Sequence, residues 1–84
     1  MLFIAEIDVM PQREILDPQG KAVKLGLLNL GLNKVNDVRI GKHLSLEIDA
    51  ENESQAREMI EIACKKLLAN LIMEDFAYKI SPKN

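Results

Sequence analysis

The chain has 84 residues, 48% of them hydrophobic, and a formal net charge of -2 at pH 7. This length suits one small domain, residues 1–84, with a core small enough to favour oligomerisation. The slight negative charge argues against nucleic acid as a partner, since phosphate binding requires clustered Lys and Arg. A membrane span would need roughly 20 apolar residues in a row, which the sequence lacks, and its single Cys64 fits a reducing cytoplasm.

The first predicted element is a strand over residues 2–9. Alternate residues on one face are all apolar: Phe3, Ala5, Ile7 and Val9. The other face begins apolar and ends with Glu6 and Asp8. Because side chains alternate between the two sides of a strand, this pattern predicts one buried face and one face that becomes exposed.

A helix is predicted over about residues 18–30. Asp17 can cap the first N–H groups, Pro18 suits the first helical position, and Gly31 is a good stop. Gly20 is unusual, because glycine in a helix costs about 1 kcal/mol relative to alanine. Two interpretations stay open. Either another group packs closely against Gly20 or uses the N–H groups around it, or the glycine is simply tolerated.

Residues 35–48 carry a long series of apolar side chains with the same parity. The series is Val38, Ile40, Leu44, Leu46 and Ile48, interrupted only by Lys42. A two-residue hairpin at residues 41–42 would place Ile40 on the face opposite the last three. The pattern therefore favours one long strand bent at Gly41, or a turn that contains a bulge.

The last third of the chain predicts a helix and a strand. The helix begins at Asn52 or Ser54 and continues with apolar residues at helical spacing to about residue 68, and Asn70 can cap its end. Phe76, Tyr78 and Ile80 alternate in a final strand, and residues 81–84 read as a frayed polar tail.

The element order predicts a two-layer α+β fold. Strands and helices follow as β-α-β-β-α-β, with an antiparallel-rich sheet and both helices on one face. Each half of the chain has too few strands to bury its own sheet. We therefore expect dimerisation to complete the fold.

The sequence contains no motif of a known catalytic chemistry. It has no Gly-rich phosphate loop, and a single histidine cannot form a histidine metal cluster within one chain. A nucleophilic pair of His43 and Cys64 can be drawn, but Cys64 lies on the apolar face of the predicted helix. Core packing is the usual role of such a cysteine, so we predict neither catalytic residues nor a metal site.

Three segments in this order resemble the PurS family, the small subunits of phosphoribosylformylglycinamidine synthase. They are Leu16-Asp17-Pro18-Gln19-Gly20, Val38-Arg39-Ile40-Gly41-Lys42, and Lys66-Leu67-Leu68-Ala69-Asn70 continuing to Glu74. The resemblance extends over essentially the whole chain. One position departs from the family pattern, because Leu71 stands where the family usually has a proline after the asparagine.

The resemblance implies a non-catalytic assembly subunit of an ATP- and glutamine-dependent carbon–nitrogen ligase in purine biosynthesis. Its partners would be a synthetase subunit, which holds ATP and magnesium, and a glutaminase subunit that supplies ammonia. The subunit would bridge these two and associate with itself as a dimer or tetramer. The resemblance also allows it a role in shielding the transfer of ammonia. The chain would hold no cofactor of its own, and neither membrane nor nucleic acid would be a partner.

We predict that residues of the three segments make the partner contacts. These are Asp17, Pro18, Gln19, Gly20, Arg39, Gly41, Lys42, Asn70 and Glu74. A second hypothesis is a small ferredoxin-like domain that senses a metabolite between the sheets of a dimer. A sensor should show a ligand-induced thermal shift by itself, whereas an assembly subunit should instead require its partners.

Overall fold

A three-stranded antiparallel sheet forms the centre of the molecule in the computed structural model, which describes residues 1–83. Strand β1 (Leu2–Pro11) is the middle strand. Strand β2 (Lys42–Asp49) pairs along one edge of β1, and strand β3 (Glu74–Pro82) pairs along the other. Since β1 has neighbours on both sides, it forms the core of the sheet.

Two helices connect the strands. Helix α1 (Pro18–Asn29) lies between β1 and β2 and matches the predicted bounds closely. Helix α2 (Glu53–Ala63) lies between β2 and β3, starts from the N-cap Asn52, and continues as a π-helix, Cys64–Leu68. The backbone of Gly31 has φ +88°, which an L side chain rarely adopts, so the predicted stop after α1 is confirmed.

The core lies between α2 and the inner face of the sheet. The predicted inner residues of β1 are 0–2% exposed: Phe3, Ala5, Ile7 and Val9. Ala56, Ile60 and Cys64 stand one turn apart along α2 and its continuation, and they are 0–1% exposed. The alternation in β1 and the helical spacing in α2 thus fix one common buried layer.

The predicted fold class is confirmed, because the domain is α+β with an antiparallel sheet and two helices. The described residues have the order β-α-β-α-β, one strand fewer than expected. Helix α1 also differs, since Gly20 is its only buried residue, whereas Val23, Leu25 and Leu28 are 43–59% exposed. Only α2 therefore contributes a helical layer to the core.

The strand predicted over residues 35–48 is wrong in its first half. Strand β2 begins at Lys42, directly after Gly41, and residues 35–41 pair with no strand in the described chain. The backbone of this segment instead turns towards the start of α1, where the N–H of Ile40 is bound by Asp17. The prediction that no two-residue hairpin forms at residues 41–42 is correct, because Lys42 already belongs to β2 and pairs with Val9 of β1.

The end of the chain is more ordered than predicted. Ser81 and Pro82 belong to β3, and the N–H of Lys83 donates to the carbonyl of Leu2 at 2.8 Å. Residues 81–83 are therefore held by the sheet, and Asn84 lies outside the described residues. Asn70 does not cap α2 as predicted, because Ala69 ends the π-helix.

Candidate functional site

Asp17 joins two of the three sequence motifs. Its Oδ1 accepts a hydrogen bond from the N–H of Gly20 at 3.0 Å, which caps α1. Its Oδ2 accepts from the N–H of Ile40 at 2.8 Å, across 23 residues of chain. The hydrogen bonds from Gly20 and then Ile40 lower the pKa of Asp17, since they stabilise the carboxylate form.

Gly20 allows the two motifs to touch. A Cβ at this position would lie less than 3.0 Å from the carbonyl oxygen of Val38 and from Oδ2 of Asp17. Of the two interpretations of this glycine, close packing is the one that the structure supports. We call the unit formed by Asp17, Gly20, Val38 and Ile40 the 17–40 clamp.

Gly41 is also required for close packing. A Cβ at this position would lie less than 3.0 Å from the carbonyl oxygen of Val9 and from the sulfur of Met10. The chain therefore lies directly against the Val9–Met10 end of β1 as it leaves the 17–40 clamp and enters β2. No larger residue fits at this contact without a shift of the backbone.

The third motif forms a hydrogen-bonded turn before β3. The N–H of Asn70 donates to Glu74 Oε1 at 2.8 Å, and the N–H groups of Met73 and Glu74 donate back to the carbonyl of Asn70 at 2.9 and 2.7 Å. Gln12 ties the turn to the end of β1 through bonds to the carbonyls of Met73 and Leu71. Leu71 occupies the second position of this turn, where proline is often found.

All three motifs meet around one open groove of about 470 Å³, which we call the motif groove. Five predicted site residues line it: Asp17, Pro18, Gln19, Asn70 and Glu74. Apolar side chains that were not among the predicted site residues complete the lining: Pro11, Ile15, Leu16, Ile40 and Met73. An apolar floor with a few fixed polar groups is typical of a binding surface.

The other four predicted site residues lie outside the motif groove. Gly20 and Gly41 serve the close packing described above. Arg39 lines a separate hollow on the other side of Asp17. Lys42 is exposed at the start of β2, opposite Val9. The partner contacts of all nine residues stay predictions.

A charged cluster on the outer face of the sheet was missed from the sequence. His43 Nδ1 lies 2.6 Å from Asp8 Oδ1, and His43 Nε2 lies 2.5 Å from Glu6 Oε2. Ser45 donates its hydroxyl to Glu6 Oε1 at 2.8 Å. Glu6 and Asp8 share the outer face of β1, so their spacing and the single histidine were the available signals.

The cluster favours a protonated imidazole. Hydrogen bonds first to Asp8 and then to Glu6 raise the pKa of His43, because both ring nitrogens must donate to satisfy them. The hydrogen bond with His43 is also the largest cause of the lowered pKa of Glu6. The cluster therefore links β1 to β2 by charge.

The structure separates His43 from Cys64. His43 lies on the outer face of the sheet, whereas Cys64 is 0% exposed in the core beneath the inner face. Burial raises the pKa of the Cys64 thiol, which opposes formation of a nucleophilic thiolate. The pair considered from the sequence is therefore not formed.

Within residues 1–83, no group of three or more His, Cys, Asp and Glu side chains is arranged to hold a metal ion. None of the helices in that range is long and apolar enough to cross a membrane.

Comparison with known proteins gives consistent matches along the chain. The profile of the family PurS, phosphoribosylformylglycinamidine (FGAM) synthase, matches residues 4–82. The phosphoribosylformylglycinamidine synthase subunit PurS of Bacillus subtilis is 35% identical over 94% of this chain and 93% of its own. The PurS structure of Thermus thermophilus superimposes with a TM-score of 0.86 at 36% identity and full coverage of both chains. The PurLQS structure of Thermotoga maritima gives a TM-score of 0.88 at 32% identity, with 96% of this chain and 99% of that one covered.

The three-stranded sheet, the single covering helix and the motif groove define a small α+β protein with the fold of the solved PurS structures. The match over residues 4–82 and the identity to PurS subunits from several organisms agree with this fold. The chain belongs to the PurS family.

Proposed function

We propose that the chain is the non-catalytic assembly subunit of a phosphoribosylformylglycinamidine synthase and bridges its synthetase and glutaminase subunits. The observation that carries the proposal is the match of residues 4–82 to the PurS family, together with the likeness to a PurLQS structure. ATP and magnesium would be held by the synthetase subunit, and the complex would work in the cytoplasm. The buried Cys64 and its raised pKa support a role without catalysis.

We also propose that the chain associates with itself. Its radius of gyration is 16.5 Å, whereas a compact domain of this length would have about 12 Å. Its accessible surface is 6306 Å², whereas a monomer of this mass typically exposes about 5,000 Å². The excess of about 1,300 Å² is larger than the surface that one partner contributes to a stable interface, which is about 800 Å².

Helix α1 is the proposed site of self-association. Leu25, Leu28 and Leu32 are 53–59% exposed and line an open hollow beside residues 33–36. A helix that buries none of its leucines gains little from folding within one chain. A second copy that covered this surface would supply the missing packing and complete the second helical layer.

The metabolite sensor is not favoured, because the family profile and the solved neighbours are PurS proteins. A thermal shift with purified nucleotides and amino acids would still separate the two functions. The melting temperature of a sensor would rise when its ligand is added to the chain alone. The melting temperature of an assembly subunit should rise only when the synthetase and glutaminase subunits are added.

Size-exclusion chromatography with light scattering tests both proposals. The chain alone should elute as a dimer or tetramer, and the mixture with both partner subunits should elute as one larger complex that has synthase activity. If the two partner subunits show glutamine-dependent synthase activity without this chain, the bridging role is contradicted. Leu25→Glu should produce monomers, while Ile62→Glu on α2, at the same 59% exposure, should not.

A further inference from the structure

Arg39 carries a charged group that the chain does not pair. Its Nη2 atom is buried and has no hydrogen-bond partner among residues 1–83. Within the same range, Arg39 forms no ion pair. More than nine in ten buried polar groups in proteins have a partner, so an unpaired guanidinium nitrogen requires an explanation.

The neighbouring carboxylates accept hydrogen bonds from backbone N–H groups, and neither makes a salt bridge with Arg39. Asp17 uses both oxygens for the backbone N–H groups of Gly20 and Ile40. Asp37 Oδ1 accepts from the N–H of Val38 at 3.0 Å. The hydrogen bonds from Gly20 and Ile40 lower the pKa of Asp17 most, and the charge of Arg39 helps to lower it, but the guanidinium forms no salt bridge with this carboxylate.

Arg39 lines an open hollow of about 390 Å³, which we call the Arg39 notch. Arg13 and Lys21 also line it, and both are exposed. The notch shares Ile15, Leu16 and Asp17 with the motif groove, so a protein that docks over the groove also reaches the notch.

We propose that the Arg39 notch receives an Asp or Glu side chain of a partner subunit, with Arg39 as a two-pronged donor. The inference rests on the proposed function and names the chemistry of the partner group. A carboxylate fits better than a phosphate, because Glu14, Asp17 and Asp37 also line the notch and repel a doubly charged ion more strongly. The planar guanidinium matches a carboxylate through two parallel hydrogen bonds, which an ammonium cannot form.

The proposal predicts opposite effects on folding and on binding. In the chain alone, the unpaired nitrogen is unfavourable, so Arg39→Met should keep or raise the melting temperature. In the complex, loss of a buried charge pair should weaken binding by at least about 30-fold. An arginine that served only the fold would instead lower the melting temperature when removed.

The test measures affinity for the purified partner subunits by calorimetry, alongside thermal melts at one protein concentration. Arg39→Met should bind at least about 30-fold more weakly, and Arg39→Lys should fall between it and the wild type. Arg57→Met is the matched control, because it removes an exposed arginine that lines neither the notch nor the motif groove, and its affinity should stay within about 3-fold of the wild type.

Each other outcome overturns the proposal. If either Arg39→Met or Arg39→Lys binds the partner subunits as tightly as the wild type does, the two-pronged contact is excluded. The bridging role would remain intact in that case. No binding by the wild-type chain contradicts the bridging role itself. A melting temperature that falls in Arg39→Met shows that the fold already uses the guanidinium. Melts in acetate and phosphate at matched ionic strength separate the ligands, and stabilisation by phosphate alone contradicts the carboxylate.

Discussion

Replacement of Gly20 by alanine tests the 17–40 clamp directly. The new Cβ would approach the carbonyl oxygen of Val38 and Oδ2 of Asp17 to less than 3.0 Å. The Val38 oxygen belongs to the backbone and cannot rotate away, so α1 and the segment before Gly41 must separate. This separation also lengthens the hydrogen bond from Ile40 to Asp17, now 2.8 Å.

The expected loss can be estimated from two opposing effects. Insertion of a methyl group into a packed contact typically costs about 1–3 kcal/mol. The helix gains up to about 1 kcal/mol when glycine becomes alanine. Gly26 lies in the same helix, and a methyl group added there would have no neighbouring atom within 4 Å, so Gly26→Ala should show the gain alone. The two variants should therefore differ by the steric penalty, about 1–3 kcal/mol.

Thermal melts of both variants at one protein concentration would measure this difference. For a domain of this size, about 1 kcal/mol corresponds to a change of about 4–8 °C in melting temperature. Gly20→Ala should melt at least about 4 °C below Gly26→Ala. If Gly20→Ala melts at or above Gly26→Ala, the clamp does not hold α1 in place and the close contact is unimportant.

Three further outcomes are expected. The purified chain should show no glutaminase activity, and any hydrolysis of glutamine that Cys64→Ala abolishes would contradict the non-catalytic role. Leu71→Pro should raise stability by about 0.4–1 kcal/mol in urea unfolding, since it restricts the unfolded chain at a turn position that accepts proline; a loss would mean that the turn needs the Leu71 N–H. The raised pKa of His43 means that its stabilisation is complete below the ordinary value of 6.5 and is lost as pH rises through the higher native pKa. The lowered pKa of Glu6 adds stability above its ordinary value of 4.5 that is lost in acid. The free energy of unfolding of the wild type should therefore exceed that of His43→Gln most between these two values, and the difference should disappear as pH rises through the higher native pKa of His43. A difference that stays constant across urea titrations at several pH values would exclude the charge link.

The sequence was sufficient for several features that depend on neighbouring residues, although the predicted cap at Asn70 was wrong. The strict alternation from Phe3 to Val9 predicted the buried face of β1, and the pair Asp17-Pro18 predicted the start of α1. These signals are local, since strand faces and helix caps depend on a few adjacent positions.

The path of residues 35–41 could not be predicted in the same way. Val38 and Ile40 are partly buried, as the parity suggested, but against the start of α1 and not in a sheet. A contact that spans 23 residues leaves no periodic trace in the sequence. The motifs containing Gly20 and Gly41 were recognised, although their shared structural role became clear only when they were found together.

The charged cluster on the outer face was missed from the sequence for a similar reason. Asp8 and His43 are cross-strand neighbours, so their contact depends on the register between β1 and β2. Parity alone placed Glu6 and Asp8 on an exposed face without indicating what lay opposite. The register between β1 and β2 depends on where β2 begins, which is Lys42 in the structure. The bent-strand prediction had placed this start too early.

Helix α1 is held mainly at its first turn, with one exposed hydrogen bond further along from Lys24 Nζ to the carbonyl of Asn36 at 2.7 Å, so it can act as a lever. Gly20, held in the 17–40 clamp, is its only buried residue, and the helix extends away from there to Asn29. Twelve residues of α-helix measure about 18 Å, so a tilt of about 10° at the clamp moves the far end by about 3 Å. A small displacement of residues 38–40 would therefore be amplified at the exposed leucines at the far end of α1.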